Sequence, residues 1–206
     1  MIESGLFDMI MRLRSSGISD TRVLRAMEQV RRSAFVASEF HDKSYDEITL
    51  PIACGQMIPE PLTIAIMLQT LDVDQDHKVL HIGSGSGYTS ALLAKLSKRV
   101  YGVDRYQTLV DTAEPHITAF VHNVVLRHGD GRLGWKGQAP FDRILISAAV
   151  RVIPVALQEQ LKPEGVIVGV IDDQLIRVRR FGKTLTETPV LPLKLPALEA
   201  GKSKTM

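Results

Sequence analysis

The chain has 206 residues, 45% of them hydrophobic and 23% charged, with a formal net charge of +2. That length makes one domain with a substantial core, and so balanced a charge leaves no electrostatic footprint for nucleic acid. The single cysteine, Cys54, excludes an internal disulfide framework and suits a reducing compartment. No apolar run reaches the ~20 residues that cross a bilayer. Glu3 and Asp8 stand within the apolar pattern of the N-terminus, unlike a signal peptide. The expected location is the cytoplasm, with no membrane partner.

Ile2, Leu6, Met9, Ile10 and Leu13 recur as one face of a helix, which Gly17 stops. Ser19 or Asp20 can cap the next helix, whose face is Val23, Leu24, Met27 and Val30. Residues 31–61 lack clean periodicity and hold Pro51, Gly55, Pro59 and Pro61, so they read as a long ordered loop. Within it, Tyr45-Asp46-Glu47 reads as a surface turn or as a closure over a ligand. Leu62 to Leu71 is apolar and helical, and Asp72 to Asp76 is a polar turn. The spacing then predicts strands at 78–82, 100–104, 124–128, 143–147 and 165–171, with helices at 88–97, 106–121 and 154–161. Pro115 is expected to kink the second of these helices or mark a restart. The alternation implies an α/β fold, a mainly parallel doubly wound sheet covered on both faces. After residue 171, Gln174 to Phe181, a Gly182-Lys183 turn and Glu187 to Leu193 predict an antiparallel hairpin at one sheet edge. Lys202 to Met206 should fray.

The most informative stretch is Val79 to Tyr88, in which Gly83, Gly85 and Gly87 follow an apolar run and open a helix. Glycine serves where backbone bends sharply or lies against a ligand, and the helix start offers unpaired N–H groups. A dinucleotide fingerprint needs G-x-G-x-x-G. Here the third glycine comes one position early, and Tyr88 stands in its place. Asp104 ends the next apolar run about 20 residues on, where an acid can reach a ribose diol. G-x-G-x-G with that acid suits a nucleoside without pyrophosphate, and S-adenosylmethionine is the obvious candidate. Ligands of open α/β sheets bind beyond the strand C-termini, which groups Gly83 to Tyr88, Asp104-Arg105, Gly129-Asp130-Gly131 and Ser147-Ala148-Ala149 around one cleft.

Leu50-Pro51-Ile52, Gly55-Gln56, the glycine turn, Gly129-Asp130-Gly131 with Trp135 downstream, Ala139 to Ile146 and Pro154 to Pro163 follow one another in an order that resembles the protein-L-isoaspartate O-methyltransferase family. The resemblance runs from about Val23 to about Gly165. It implies a class I methyltransferase (Rossmann-like) fold that uses S-adenosyl-L-methionine in protein repair. It further implies that Gly83, Gly85 and Gly87 let backbone lie along the methionine arm, that Asp104 takes the ribose hydroxyls and that Asp130 accepts from the adenine amino group. His81, Ser84, Tyr88, Arg105 and Gly131 complete the expected cofactor site. Asp130 alone also reads as a turn aspartate between two glycines. The chain then divides into N-terminal helices and a substrate-side loop (1–60), a cofactor-binding core (61–171), and a hairpin with tail (172–206), all within one domain.

The departures from the family bear on the acceptor. Where it has Gly-x-Thr-Ile-Ser-x-Pro, this chain reads Gly55-Gln56-Met57-Ile58-Pro59-Glu60-Pro61. In the family that serine belongs to the site of methyl transfer, so Pro59, Met57 and Gln56 are the candidate catalytic positions. Proline has no side-chain donor and no N–H, and a thioether is a weak acceptor. The expectation is weak or absent isoaspartyl methylation with the cofactor still bound. Three readings stay open: an isoaspartyl enzyme using other groups on a protein or peptide substrate, a methyltransferase with another, small acceptor, or a cofactor-binding protein without turnover. His81 stands where the family has glutamate and reads either as facing the cofactor or as a core histidine. The other histidines show no metal-ligand spacing. Cys54 and Trp135 read as packing residues, and Arg177, Arg179 and Arg180 as a solvated strand face.

Overall fold

The computed structural model describes residues 4–182 and 184–203. The expected contribution of Ile2, the Lys183 half of the turn and the last three residues lie outside the described residues.

Helix α1 (Ser4–Ser15) ends as its sequence suggests. Gly17 takes φ +93°, its N–H donates to Arg14 O, and the Ile18 N–H donates to Leu13 O. These are the two bonds of a Schellman cap. Helix α2 (Thr21–Gln29) is capped by Asp20, whose carboxylate accepts from the Arg22 N–H at 2.9 Å. Both helices bury their predicted faces, with Met9, Leu13, Val23 and Met27 at most 1% exposed.

Residues 31–61 are not one loop. Two 3-10 turns (Arg32–Phe35, Ser38–Lys43) lead into a two-stranded antiparallel hairpin, β1 (Leu50–Ile52) and β2 (Gln56–Ile58). Cys54 and Gly55 make its turn with φ of +60° and +63°. The buried guanidinium of Arg32 holds this region together by donating to the carbonyls of Ser44, Ile48 and Pro59 at 2.7–3.1 Å. Tyr45 is 6% exposed, and Glu47 accepts from the Leu62 N–H at 2.8 Å. That segment therefore braces α3 (Pro61–Leu71) rather than closing over a ligand. Pro61 starts α3 at the first helical position, where a missing N–H costs nothing.

The main sheet has seven strands in the order β5-β4-β3-β6-β7-β8-β9. They are β3 (Lys78–Ile82), β4 (Arg99–Asp104), β5 (Val124–His128), β6 (Phe141–Val150), β7 (Leu161–Ile171), β8 (Gln174–Phe181) and β9 (Thr184–Pro192). The first five in that order are parallel, and β8 and β9 join antiparallel. Helices α4 (Tyr88–Leu96), α5 (Gln107–Thr118) and α6 (Val155–Glu159) make the crossovers. Helix α5 continues through Pro115 without a restart. One core cluster lies between the sheet and helices α1 to α5, and a second lies on the opposite face around Leu80, Ile82, Phe141 and Leu157. From β3 the order runs one way through β4 and the other through β6. That reversal opens a crevice at the strand C-termini, where ligands of such sheets bind.

The described part of the tail is tied to the sheet by backbone hydrogen bonds. Leu198 N–H donates to Ala149 O and Ala149 N–H to Pro196 O, at 2.7 and 2.8 Å. Farther on, Ser203 N–H donates to Arg105 O at 2.8 Å. The tail thus crosses the crevice from the end of β6 to the end of β4, held by backbone pairing that no side-chain pattern announces.

Candidate active site

A cavity of about 330 Å³ opens at the crevice. One wall is the sheet edge: Gly83 and Gly85 after β3, Asp104-Arg105 after β4, Gly131, and Ser147-Ala148 in β6. The facing wall is the hairpin and the start of α3, with Thr49, Ile52, Gln56, Met57, Pro59, Glu60 and Thr63. The tail, Leu193 to Glu199, supplies a third.

The glycine turn is shaped as the sequence requires. Gly83 and Gly85 adopt φ of +78° and +53°, values that L side chains rarely take. A Cβ on Gly85 would also stand 3.4 Å from Ile52, across the space between turn and hairpin. Asp104 anchors the turn from β4: its Oδ2 accepts from the Gly85 N–H at 2.8 Å and its Oδ1 from the Tyr106 N–H at 3.0 Å. The residue is 6% exposed. Burial raises its pKa, against the lowering effect of those backbone donors. A carboxylate has about four lone-pair sites, so Asp104 can still accept from a ligand. Positive-φ glycine backbone and a buried acceptor in one cavity fit a nucleoside with a flexible amino-acid arm.

Gln56, Met57, Pro59, Gly83, Gly85, Asp104, Arg105 and Gly131 are thus brought together. Five expected residues fall outside this lining. His81 is 1% exposed, with Ser90 Oγ at 2.7 Å from Nδ1 and Ser147 Oγ at 2.8 Å from Nε2. It is a satisfied core histidine, because β3 points it into the sheet's covered face. Ser84 is 4% exposed and its hydroxyl has no partner; the side chain packs toward Gly102 of β4. Gly87 admits α5, since a Cβ there would lie 2.7 Å from Ile117. Tyr88 is 1% exposed and packs on Phe35 at 5.5 Å between ring centroids. Its phenol is held protonated by burial. Asp130 lies beyond the tail, in a separate depression with Arg127, His128, Gly201 and Lys202. Its Oδ2 accepts from the Gly201 N–H and its Oδ1 from the Arg132 N–H, at 2.8 and 2.9 Å. These donors and the Arg132 charge lower its pKa against the opposing effect of burial.

Thr49, Glu60, Thr63 and the tail were not among the sequence expectations. Glu60 lies one residue from the altered Pro59, and that adjacency was the available signal. The tail carried none.

The geometry agrees with the comparisons. Residues 6–189 match the model of the Protein-L-isoaspartate(D-aspartate) O-methyltransferase (PCMT) family. The chain belongs to this family. A relative from Paramagnetospirillum magneticum named protein-L-isoaspartate O-methyltransferase is 43% identical over 97% of this chain and 96% of its own. Another of that name from Maricaulis maris is 42% identical over 98% and 97%. A Plasmodium falciparum structure, described as a putative family enzyme in complex with S-adenosyl-L-homocysteine, superposes with a TM-score of 0.79 at 22% identity, covering 93% of this chain and 97% of that one. A second structure named for the family reaches 0.84 at 19% identity, covering 95% of this chain and 66% of that one. The chain has the class I methyltransferase fold, and its own sheet ends in two antiparallel strands. This chain carries Met57 and Pro59 on the cavity wall opposite the glycine turn.

Among the described residues, no helix is long and apolar enough to cross a membrane.

Proposed function

We propose that this chain is an S-adenosylmethionine-dependent O-methyltransferase of the cytoplasm that methylates the carboxylate of isoaspartyl residues in proteins or peptides. Residues 1–60, 61–171 and 172–206 act as one catalytic unit. The observation that carries this reading is the single cavity joining Gly83, Gly85 and Asp104 to the hairpin wall, in a chain whose family membership extends over residues 6–189.

Bound S-adenosylmethionine supplies an electrophilic methyl group on a sulfonium. Gly83 and Gly85 give close backbone approach, and Asp104 accepts from the ribose hydroxyls with its remaining lone pairs. Asp130 anchors the tail beside this site rather than entering it. The free α-carboxyl of an isoaspartyl residue is already ionised at neutral pH, so the chain needs no general base. Its task is to hold one oxygen toward the methyl and exclude water, an effect worth up to roughly 7–11 kcal/mol. Ile52, Met57, Leu193 and Leu195 line the cavity with apolar surface. Two donors on the hairpin wall are uncommitted: the Thr49 hydroxyl, which has no partner among the described residues, and the second amide hydrogen of Gln56, whose first goes to Cys54 O at 3.2 Å. The Thr63 hydroxyl is already given to Glu60.

The test is methyl transfer from labelled S-adenosylmethionine to an isoaspartyl peptide and to its normal aspartyl twin. Base-labile label on the first alone is expected. Equal labelling of both, base-stable label, or none would overturn the reading.

A further inference from the structure

We propose that Glu60 binds the α-ammonium group of the cofactor's amino-acid arm. The inference rests on the cofactor reading above and adds the residue that neutralises the arm's positive end.

Glu60 stands between Pro59 and Pro61 at the N-cap of α3, half-buried on the cavity wall that faces Gly83 and Gly85. The Thr63 hydroxyl donates to its Oε1 at 2.8 Å and fixes the carboxylate's direction. Its Oε2 has no hydrogen-bond partner among the described residues, and no cation pairs with it at contact distance. The cations lining the same cavity are spent elsewhere: Arg105 pairs with Glu199 and Lys194 with Asp173. Arg32 lies behind the hairpin and attracts Glu60 at longer range, but its two terminal nitrogens donate to the carbonyls of Ser44, Ile48 and Pro59.

A partly buried carboxylate with no cation in contact opposes entry of an anionic acceptor into its cavity. A cation beside it removes that opposition, and the cofactor brings an ammonium. The other acids at the site are already engaged. Asp104 holds the Gly85 and Tyr106 N–H groups, and Glu199 holds Arg105. Strand β3 offers no acid at all, because its His81 is turned into the core between Ser90 and Ser147. Glu60 is therefore the cavity-lining carboxylate with one oxygen uncommitted and no cation at contact distance.

The test compares two ligands by calorimetry in wild type and Glu60→Gln. S-adenosylhomocysteine has the amino-acid arm, whereas 5′-methylthioadenosine keeps the adenosine and sulfur but lacks it. Glutamine preserves size and can still accept from Thr63, so the variant removes charge alone. The expected result is a Kd for S-adenosylhomocysteine raised tenfold or more, with that for 5′-methylthioadenosine changed less than twofold. Binding of 5′-methylthioadenosine also reports that the variant is folded. Equal weakening of both ligands, or unchanged affinity for S-adenosylhomocysteine, overturns the proposal. Wild-type protein that binds neither ligand overturns the cofactor reading and this proposal with it.

Discussion

Burial between Ser90 and Ser147 takes water away from the His81 imidazole, and its pKa falls from 6.5 to about 3. The native state therefore keeps His81 neutral, while the unfolded chain protonates it below about 6.5. A depressed folded pKa contributes stability that is whole above the unfolded value and is lost as pH falls toward the folded one. Between pH 6 and 5 this residue should make the protein lose up to about 1.4 kcal/mol per pH unit. Histidine-labelled NMR should show one imidazole that does not titrate from pH 8 to pH 5, and a His81→Gln variant should lack that part of the acid slope. A titration midpoint for His81 above pH 5 would contradict the structure. Cofactor affinity should not vary with His81 charge over pH 6 to 8, contrary to what a site-facing histidine would give. The sequence left this residue open for a physical reason. Its partner Ser147 is 66 positions away, and strand burial on both faces removes the alternation that tells inside from outside. Asp104 was legible because its distance from the glycine turn is set by one crossover helix. Gly87 was misread because its neighbour, Ile117 of α5, is tertiary.

The hairpin of β1 and β2 is the element on which the acceptor depends. Its register pairs Leu50 with Ile58 and Pro51 with Met57. Thr49 and Pro59, the residues just outside that pairing, both line the cavity. The wall thus offers the Thr49 hydroxyl where Pro59 has none. A hydrogen-bond donor acting in the transition state is commonly worth ~10²–10³ in rate. The double variant Met57→Thr, Pro59→Ser should therefore raise kcat/KM on an isoaspartyl peptide by about tenfold or more over a slow wild type. Pro59→Ser alone should gain less, because freeing φ loosens the chain just before α3. Steady-state rates on the peptide decide the matter, and an unchanged rate in the double variant would show that Thr49 and Gln56 already position the carboxylate. Function was visible in this segment before form was. Three residues per strand are too few to show alternation, and what fixes the segment is Arg32 bonding three carbonyls 12 to 27 residues away. The α/β elements were legible in outline from their apolar runs: β3 and β5 match the expected spans and α4 differs by one residue, whereas β6 and β7 extend beyond theirs.

At the scale of the whole molecule, both flanks of the chain close on the central crevice. The N-terminal hairpin forms one wall, and the tail after β9 forms another by pairing with Ala149 and Arg105. Leu193, Leu195 and Leu198 are partly buried there, and Leu198 approaches the position a Gly131 Cβ would take, at 3.2 Å. Removing residues 193–206 should act on binding and on stability together. The cavity loses its third wall, and Asp130 and Arg105 lose the partners that order the ends of β5 and β4. Half-burial of three leucines is worth about 2–4 kcal/mol in total, and at about 2–4 °C per kcal/mol in a chain of this size the melting temperature should drop by roughly 4–16 °C. Affinity for S-adenosylhomocysteine should fall about tenfold or more, since the ligand then meets water where it met Leu193 to Glu199. Adding saturating ligand should recover less of the lost melting temperature than it adds to the full chain, because binding stabilises by mass action in proportion to affinity. A truncated protein that binds as tightly as the full chain would mean that the tail only rests on the crevice. In that case the sheet edge and the hairpin would hold the nucleoside without it.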